Sequence, residues 1–233
     1  MSSMQGLTIV LSGRLPNSTN FALGLFWKSF IEVQRAIPQT LNIENIFAHS
    51  CSINQLELIQ MAYAPNLLIE EENKVPELEG VLNLRLNKRL NTGNNCQKVI
   101  KNYSNLKNIF LDIMSRSKAL DILDDIPDDK VTSRVLILDW RALSSRGRNN
   151  REICIDASLP EEFIYMEYNK QIDLGYYDDW ILTSWTLAKE LSNFSDYSKD
   201  FFEKNSSKIL DFKPIEWPWF YYKNFLNILF LPD

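Results

Sequence analysis

Glycine, cysteine and histidine are scarce in this chain, with 7, 3 and 1 of them in 233 residues. Each scarcity closes off a kind of site. So few glycines leave no P-loop and no dinucleotide fingerprint, because both need glycines at fixed spacing to bring backbone against phosphate. A single histidine, His49, restricts a Ser-His-Asp triad to one position, and no Gly-x-Ser-x-Gly elbow supplies its nucleophile. His49 and the scattered Cys51, Cys96 and Cys154 lack zinc-ligand spacing. His49 therefore reads as a structural histidine or as pocket lining, and not as a metal ligand. The odd number of cysteines reads as free thiols in a reducing compartment.

Two longer features are also missing. There is no long run of Lys and Arg, and the net charge is −5. Non-specific nucleic-acid binding needs clustered positive charge to displace counterions, so no nucleic-acid partner is expected. No stretch approaches the ~20 apolar residues that a spanning helix needs. Met1-Ser2-Ser3-Met4-Gln5-Gly6 lacks a basic region followed by an apolar run, so no signal peptide is evident. A cytoplasmic location is the expectation.

What is present alternates between strand and helix patterns. Leu7–Leu11, Ile46–Ala48 and Leu67–Ile69 are short β-rich runs. Helical spacing falls between them, over Asn20–Arg35 and Cys51–Tyr63. This order predicts an α/β fold with a mainly parallel central sheet, flanked by helices and joined by right-handed crossovers. A long amphipathic helix is predicted from Gln97 to Leu123, and a central strand from Val131 to Leu138. Ile153–Ile155 and Phe163–Met166 read as later strands, and Leu182–Phe202 as the last long helix. Residues 1–233 read as a single domain. Its aromatic C-terminal element, about 210–233, either packs on the sheet or docks on a membrane or partner.

Three places can carry chemistry. Ser12-Gly13-Arg14 follows the first strand, where backbone N–H groups and a helix N-terminus can hold phosphate; alone it also fits an ordinary turn. Asp139-Trp140-Arg141 ends the central strand. A carboxylate there can hold a divalent cation, and an arginine can grip phosphate oxygens. An Asp–Arg structural pair fits equally. In Tyr177-Asp178-Asp179-Trp180, read as a loop or helix start, one carboxylate can cap the helix while another acts as a base on a sugar hydroxyl.

Taken in order, these segments resemble a family. Ile9-Val10-Leu11-Ser12-Gly13-Arg14, Ile46-Phe47-Ala48-His49-Ser50, Tyr63-x-Pro65 with Ile69-Glu70, Val135 to Gly147, Phe163-Ile164-Tyr165, and Gly175-Tyr176-Tyr177-Asp178-Asp179-Trp180 are similar to segments of bacterial glycosyltransferase-like proteins of surface-polysaccharide gene sets. The resemblance runs to about Leu191. It implies a GT-A, nucleotide-diphospho-sugar transferase type of fold, a nucleotide-sugar donor and a glycan acceptor. It places Ser12, Gly13, Arg14, Asp139, Arg141 and Trp180 on the substrate. It makes Asp178 the catalytic carboxylate and Asp139 the ligand of a divalent cation, Mn²⁺ or Mg²⁺. One position departs from the pattern. The family usually carries Arg-aromatic-Asp where this chain has Asp139-Trp140-Arg141, so the two charges are exchanged. A non-catalytic relative acting as a binding module, and an α/β enzyme acting on phosphorylated small molecules, are the rival expectations.

Overall fold

In a computed structural model the protein is described over residues 5–13, 31, 33–35, 37–50, 59–60, 64–70, 111–139, 155–156, 158–168, 176–193 and 228–230. For 67–70, 167–168, 176–179 and 228–230 the description covers the backbone alone. Seven strands form one sheet: β1 Gln5–Ser12, β2 Leu41–Ser50, β3 Leu67–Glu70, β4 Arg134–Asp139, β5 Ile164–Tyr168, β6 Tyr176–Ser184 and β7 Ile228–Phe230. Their order is β3-β2-β1-β4-β6-β5-β7. Neighbours run parallel from β3 to β4 and again between β5 and β7, while β6 runs antiparallel to both β4 and β5. This is the mainly parallel α/β sheet that the alternating pattern predicts.

The sequence of β4 shows why it lies at the centre. Arg134 to Asp139 is buried at every position, so both faces are covered and apolar residues need not alternate with polar ones. On one face Leu7, Ile9, Leu11, Leu136, Leu138, Trp180 and Leu182 join Ala48 and Tyr165 in an apolar core. On the other face lie Thr8, Val10, Ser12, Val135, Ile137 and Asp139, as the strict alternation of strand side chains requires. A helix over 111–121, here α1, carries buried Ser115, Ala119 and Leu120. Ser115 touches the ends of β1 and β2, which sets α1 against this second face.

A buried polar network holds the amino end of the same face. β2 carries one residue more than β1 between Ile43 and Asn45, so the register slips at Leu7/Thr8. Asn45 then donates to Thr8 Oγ1 at 3.1 Å and to the Lys130 carbonyl at 3.2 Å. Thr132 donates to Thr8 Oγ1 at 2.8 Å and lies 2.9 Å from the Arg134 carbonyl. Removing one member of such a network strands the others away from water. Asn45→Ala should cost about 1–2 kcal/mol in urea denaturation. A loss under about 0.3 kcal/mol would show that the network contributes nothing.

Three sequence expectations change. Tyr177–Trp180 is strand, not a loop or helix start. The helix expected over Leu182–Phe202 starts at Trp185 and is α2, Trp185–Ser192, with 194–202 outside the described residues. The apolar run Trp180-Ile181-Leu182 suits a buried strand as well as a helix face. Pairing of Leu182 with Leu136 and Ile181 with Ile137 decides for the sheet. Ser184 then caps α2 through its side chain on the Leu187 N–H. The strand expected at Ile153–Ile155 has only Ile155 within the described residues, and there it is not strand. Of the aromatic tail, Ile228–Phe230 pairs in parallel with β5 at the sheet edge, and 217–226 lies outside the described residues.

Candidate functional site

From β1 the chain steps outward to β2 and β3, then returns to place β4 on the other side of β1. Such a reversal parts the connections above the sheet and opens a crevice at the carboxyl ends of the strands. Here the two flanking strands end in Ser12 and Asp139, which are register partners. One step beyond the last β1–β2 pair, Leu11 with Ala48, stands His49. His49, Ser12 and Asp139 thus form a row across three adjacent strands, spaced about 4.8 Å apart. They share the face that α1 covers.

All three are buried, with Ser12 fully enclosed and His49 and Asp139 each 1% exposed. Ser12 Oγ has no hydrogen-bond partner among the described residues. A buried hydroxyl without a partner is costly, so it marks a place where another polar group belongs. Gly13 follows in the left-handed region, with φ of 99°. A Cβ on Gly13 would lie 2.9 Å from Asp139 Oδ2, so the carboxylate sits where any side chain would be. Glycine is required there twice, by backbone conformation and by space.

The Gly13 amide is engaged by the protein itself. It donates to Ser115 Oγ at 2.8 Å, and that oxygen also stands 2.8 Å from His49 Nδ1. Burial, with Lys118 nearby, lowers the imidazole pKa to about 4, so His49 is neutral at pH 7. A serine hydroxyl 2.8 Å from an imidazole has the spacing of an activated nucleophile. Ser115 is fully buried, however, and presents no hydroxyl to a substrate.

The structure therefore brings together Ser12, Gly13 and Asp139 of the residues singled out from sequence. Arg14 and Arg141 lie outside the described residues. Asp178 is placed by its backbone only, in β6 near the same edge, since Leu138 pairs with Trp180. The β5–β6 register jumps from Met166–Ile181 to Glu167–Tyr177, so Asp178 and Asp179 fall in the irregular stretch. Trp180 lies in the apolar core on the face opposite Asp139, 2% exposed, with its indole N–H unpartnered among the described residues. Sequence reading missed Ser115, which sits mid-helix with no local motif to mark it. Among the described residues no group of three His, Cys, Asp or Glu stands close enough to hold a metal ion by itself. No helix of the described residues is long and apolar enough to cross a membrane.

No protein-family model matches the chain, and no curated protein matches it. Among solved structures it is similar to the apo-form of the glycosyltransferase GlyE from Streptococcus pneumoniae TIGR4, at 12% sequence identity and a TM-score of 0.40. The alignment covers 99% of this chain and 46% of that one, so the chain spans about half the length of that neighbour.

Proposed function

We propose that the protein is a glycosyltransferase that binds a nucleotide-activated sugar in the β1–β4 crevice and passes the sugar to a glycan acceptor. The observation that carries this reading is the pairing of Ser12 with Asp139 at the switch point, with the Ser12 hydroxyl buried and unpartnered. The ordered sequence segments that resemble surface-polysaccharide glycosyltransferases support it. In this reading Ser12 hydrogen-bonds the donor, and Asp139 with Arg141 faces its diphosphate. Asp178 is the carboxylate that faces the acceptor or the donor sugar and draws the proton from the attacking hydroxyl. The leaving diphosphate is stabilised by positive charge placed before the reaction begins.

In this reading Asp139 would hold a divalent cation, Mn²⁺ or Mg²⁺, together with the phosphates of the donor, as Mg²⁺ is commonly held by one or two carboxylates and substrate phosphates. Bound there, the cation would neutralise charge on the diphosphate. The exchange of Asp139 and Arg141 relative to the family pattern, and the burial of Asp139, favour one rival: a relative that binds a donor without turning it over.

A thermal-shift screen of nucleotide sugars with and without Mn²⁺ tests the reading, because a ligand that binds only the folded state raises the transition. At least one nucleotide sugar should raise it, and Arg141→Ala should weaken that binding by about 1.5–3 kcal/mol. Asp178→Asn should lower turnover more than affinity. Binding without sugar transfer to any acceptor would favour the non-catalytic relative. No shift with any nucleotide sugar would remove the glycosyltransferase reading.

A further inference from the structure

Ser115 Oγ is the meeting point of four groups. It accepts the Gly13 N–H at 2.8 Å and stands 2.8 Å from His49 Nδ1. It also lies 3.3 Å from the Gly13 carbonyl and 3.3 Å from the His49 carbonyl. A hydroxyl has one proton to donate and two lone pairs to accept with. One lone pair is taken by Gly13. The remaining choice depends on the imidazole. If Nδ1 carries the ring proton, it donates to Ser115, and the serine proton is left to reach a carbonyl. If Nδ1 is bare, the serine proton goes to it, and the carbonyls receive nothing from Ser115. The tautomer of His49 therefore decides whether Ser115 holds Gly13 by its N–H alone or can also hold a carbonyl.

Gly13 matters because Asp139 packs against it. The carboxylate occupies the space a Cβ would fill, so a shift of the turn moves the surface on which Asp139 rests. Ser12, the register partner of Asp139, is the residue before Gly13 and moves with the same turn. A polar group reaching from α1 therefore fixes residues that α1 itself does not contribute.

We propose that Ser115 and His49 are a positioning pair for the crevice: Ser115 latches the Gly13 turn in its left-handed conformation, and His49 orients the Ser115 hydroxyl. Through Gly13 the pair sets the geometry of Ser12 and Asp139 toward a nucleoside diphosphate. This rests on the donor-binding reading of the crevice for its ligand, but not for the latch itself.

The chain has one histidine, so its ring signals are unambiguous. The test follows the His49 ¹⁵N shifts, hydrogen exchange at the Gly13 amide, and binding of UDP and GDP in the presence of Mn²⁺. In the native protein His49 should show one dominant tautomer, and the Gly13 amide should be protected. Ser115→Ala should speed Gly13 exchange about tenfold, the ratio for losing one ordinary hydrogen bond. It should also change the His49 tautomer signals and weaken the bound nucleotide by a similar factor. His49→Phe should likewise speed Gly13 exchange and weaken nucleotide binding, whereas His49→Asn, which keeps a polar atom near the Nδ1 position, should restore most of the lost protection. Comparison of these two variants decides the matter if Ser115→Ala does not fold. Gly13 exchange within twofold of native in Ser115→Ala, or no difference between His49→Asn and His49→Phe, would overturn the latch. If the native protein binds neither nucleotide while the latch signals behave as stated, the donor reading fails and the latch stands.

Discussion

Stability should fall by on the order of 3 kcal/mol as the pH drops from 6.5 toward 4, through His49 alone. The imidazole pKa is 6.5 in the unfolded chain and about 4 in the folded protein. Between those values the unfolded state binds a proton that the folded state refuses. The contribution of the neutral imidazole is therefore complete above pH 6.5 and is progressively lost down to about pH 4. The physical cause is burial first, then the positive charge of Lys118. Carboxylates also titrate near the lower end, so the measurement is a difference. Urea denaturation of the native protein and of His49→Asn at a series of pH values should give curves that diverge below pH 6.5, with the native protein the steeper. Parallel curves would mean that His49 takes up its proton freely in the folded state.

Gly13→Ala is expected to cost about 3 kcal/mol and, on the proposed donor-binding reading, to abolish binding of a nucleotide sugar. Alanine at φ of 99° is strained, by roughly 1–3 kcal/mol. Its Cβ would also press on the Asp139 carboxyl group at 2.9 Å, forcing a buried polar group out of place. Displacing a buried polar group from its partners adds about 1–3 kcal/mol. The double origin gives the variant a signature. Gly13→Ala in an Asp139→Ala background should regain part of the loss relative to the sum of the single variants, because the clash is gone and the strain remains. Strictly additive costs would show that the carboxylate yields without penalty.

The parallel half of the sheet was legible because its strands advertise themselves. Leu7–Leu11 and Val135–Leu138 are short, apolar and bounded by turn or charged residues, and each proved to be a strand buried on both faces. The carboxyl-end rule then points from sequence alone to Ser12, Gly13 and Asp139. Other features were not legible, for definite reasons. Trp180-Ile181-Leu182 suits helix and strand alike, and only pairing with Leu138, Ile137 and Leu136 separates them. By its apolar run alone the second strand ends at Ala48, before His49, yet β2 runs on to Ser50 and carries His49 into the row with Ser12. Ser115 has no local signal because its partners, Gly13 and His49, are distant in sequence. The direction of Trp180 depends on strand register, and register is a property of the assembled sheet.

The pairing of β1 with β4 joins chain segments separated by over a hundred residues. Ribosomes add roughly 5–20 residues per second, so β1 waits on the order of 10 s for the strand that completes its second edge. During that interval Ile9-Val10-Leu11 has β2 on one side and an open ladder of backbone N–H and C=O groups on the other. Such an edge invites pairing with another nascent chain. Non-local strand pairing is also slow in itself, because loop closure must precede its reward. Expression yield should therefore depend on synthesis rate and temperature more than on the stability of the finished fold. Because Ser12 meets Asp139 only when β4 docks, a ligand of the crevice would bind none of the forms that lack the β1–β4 pairing, and would draw newly made chains toward it by mass action.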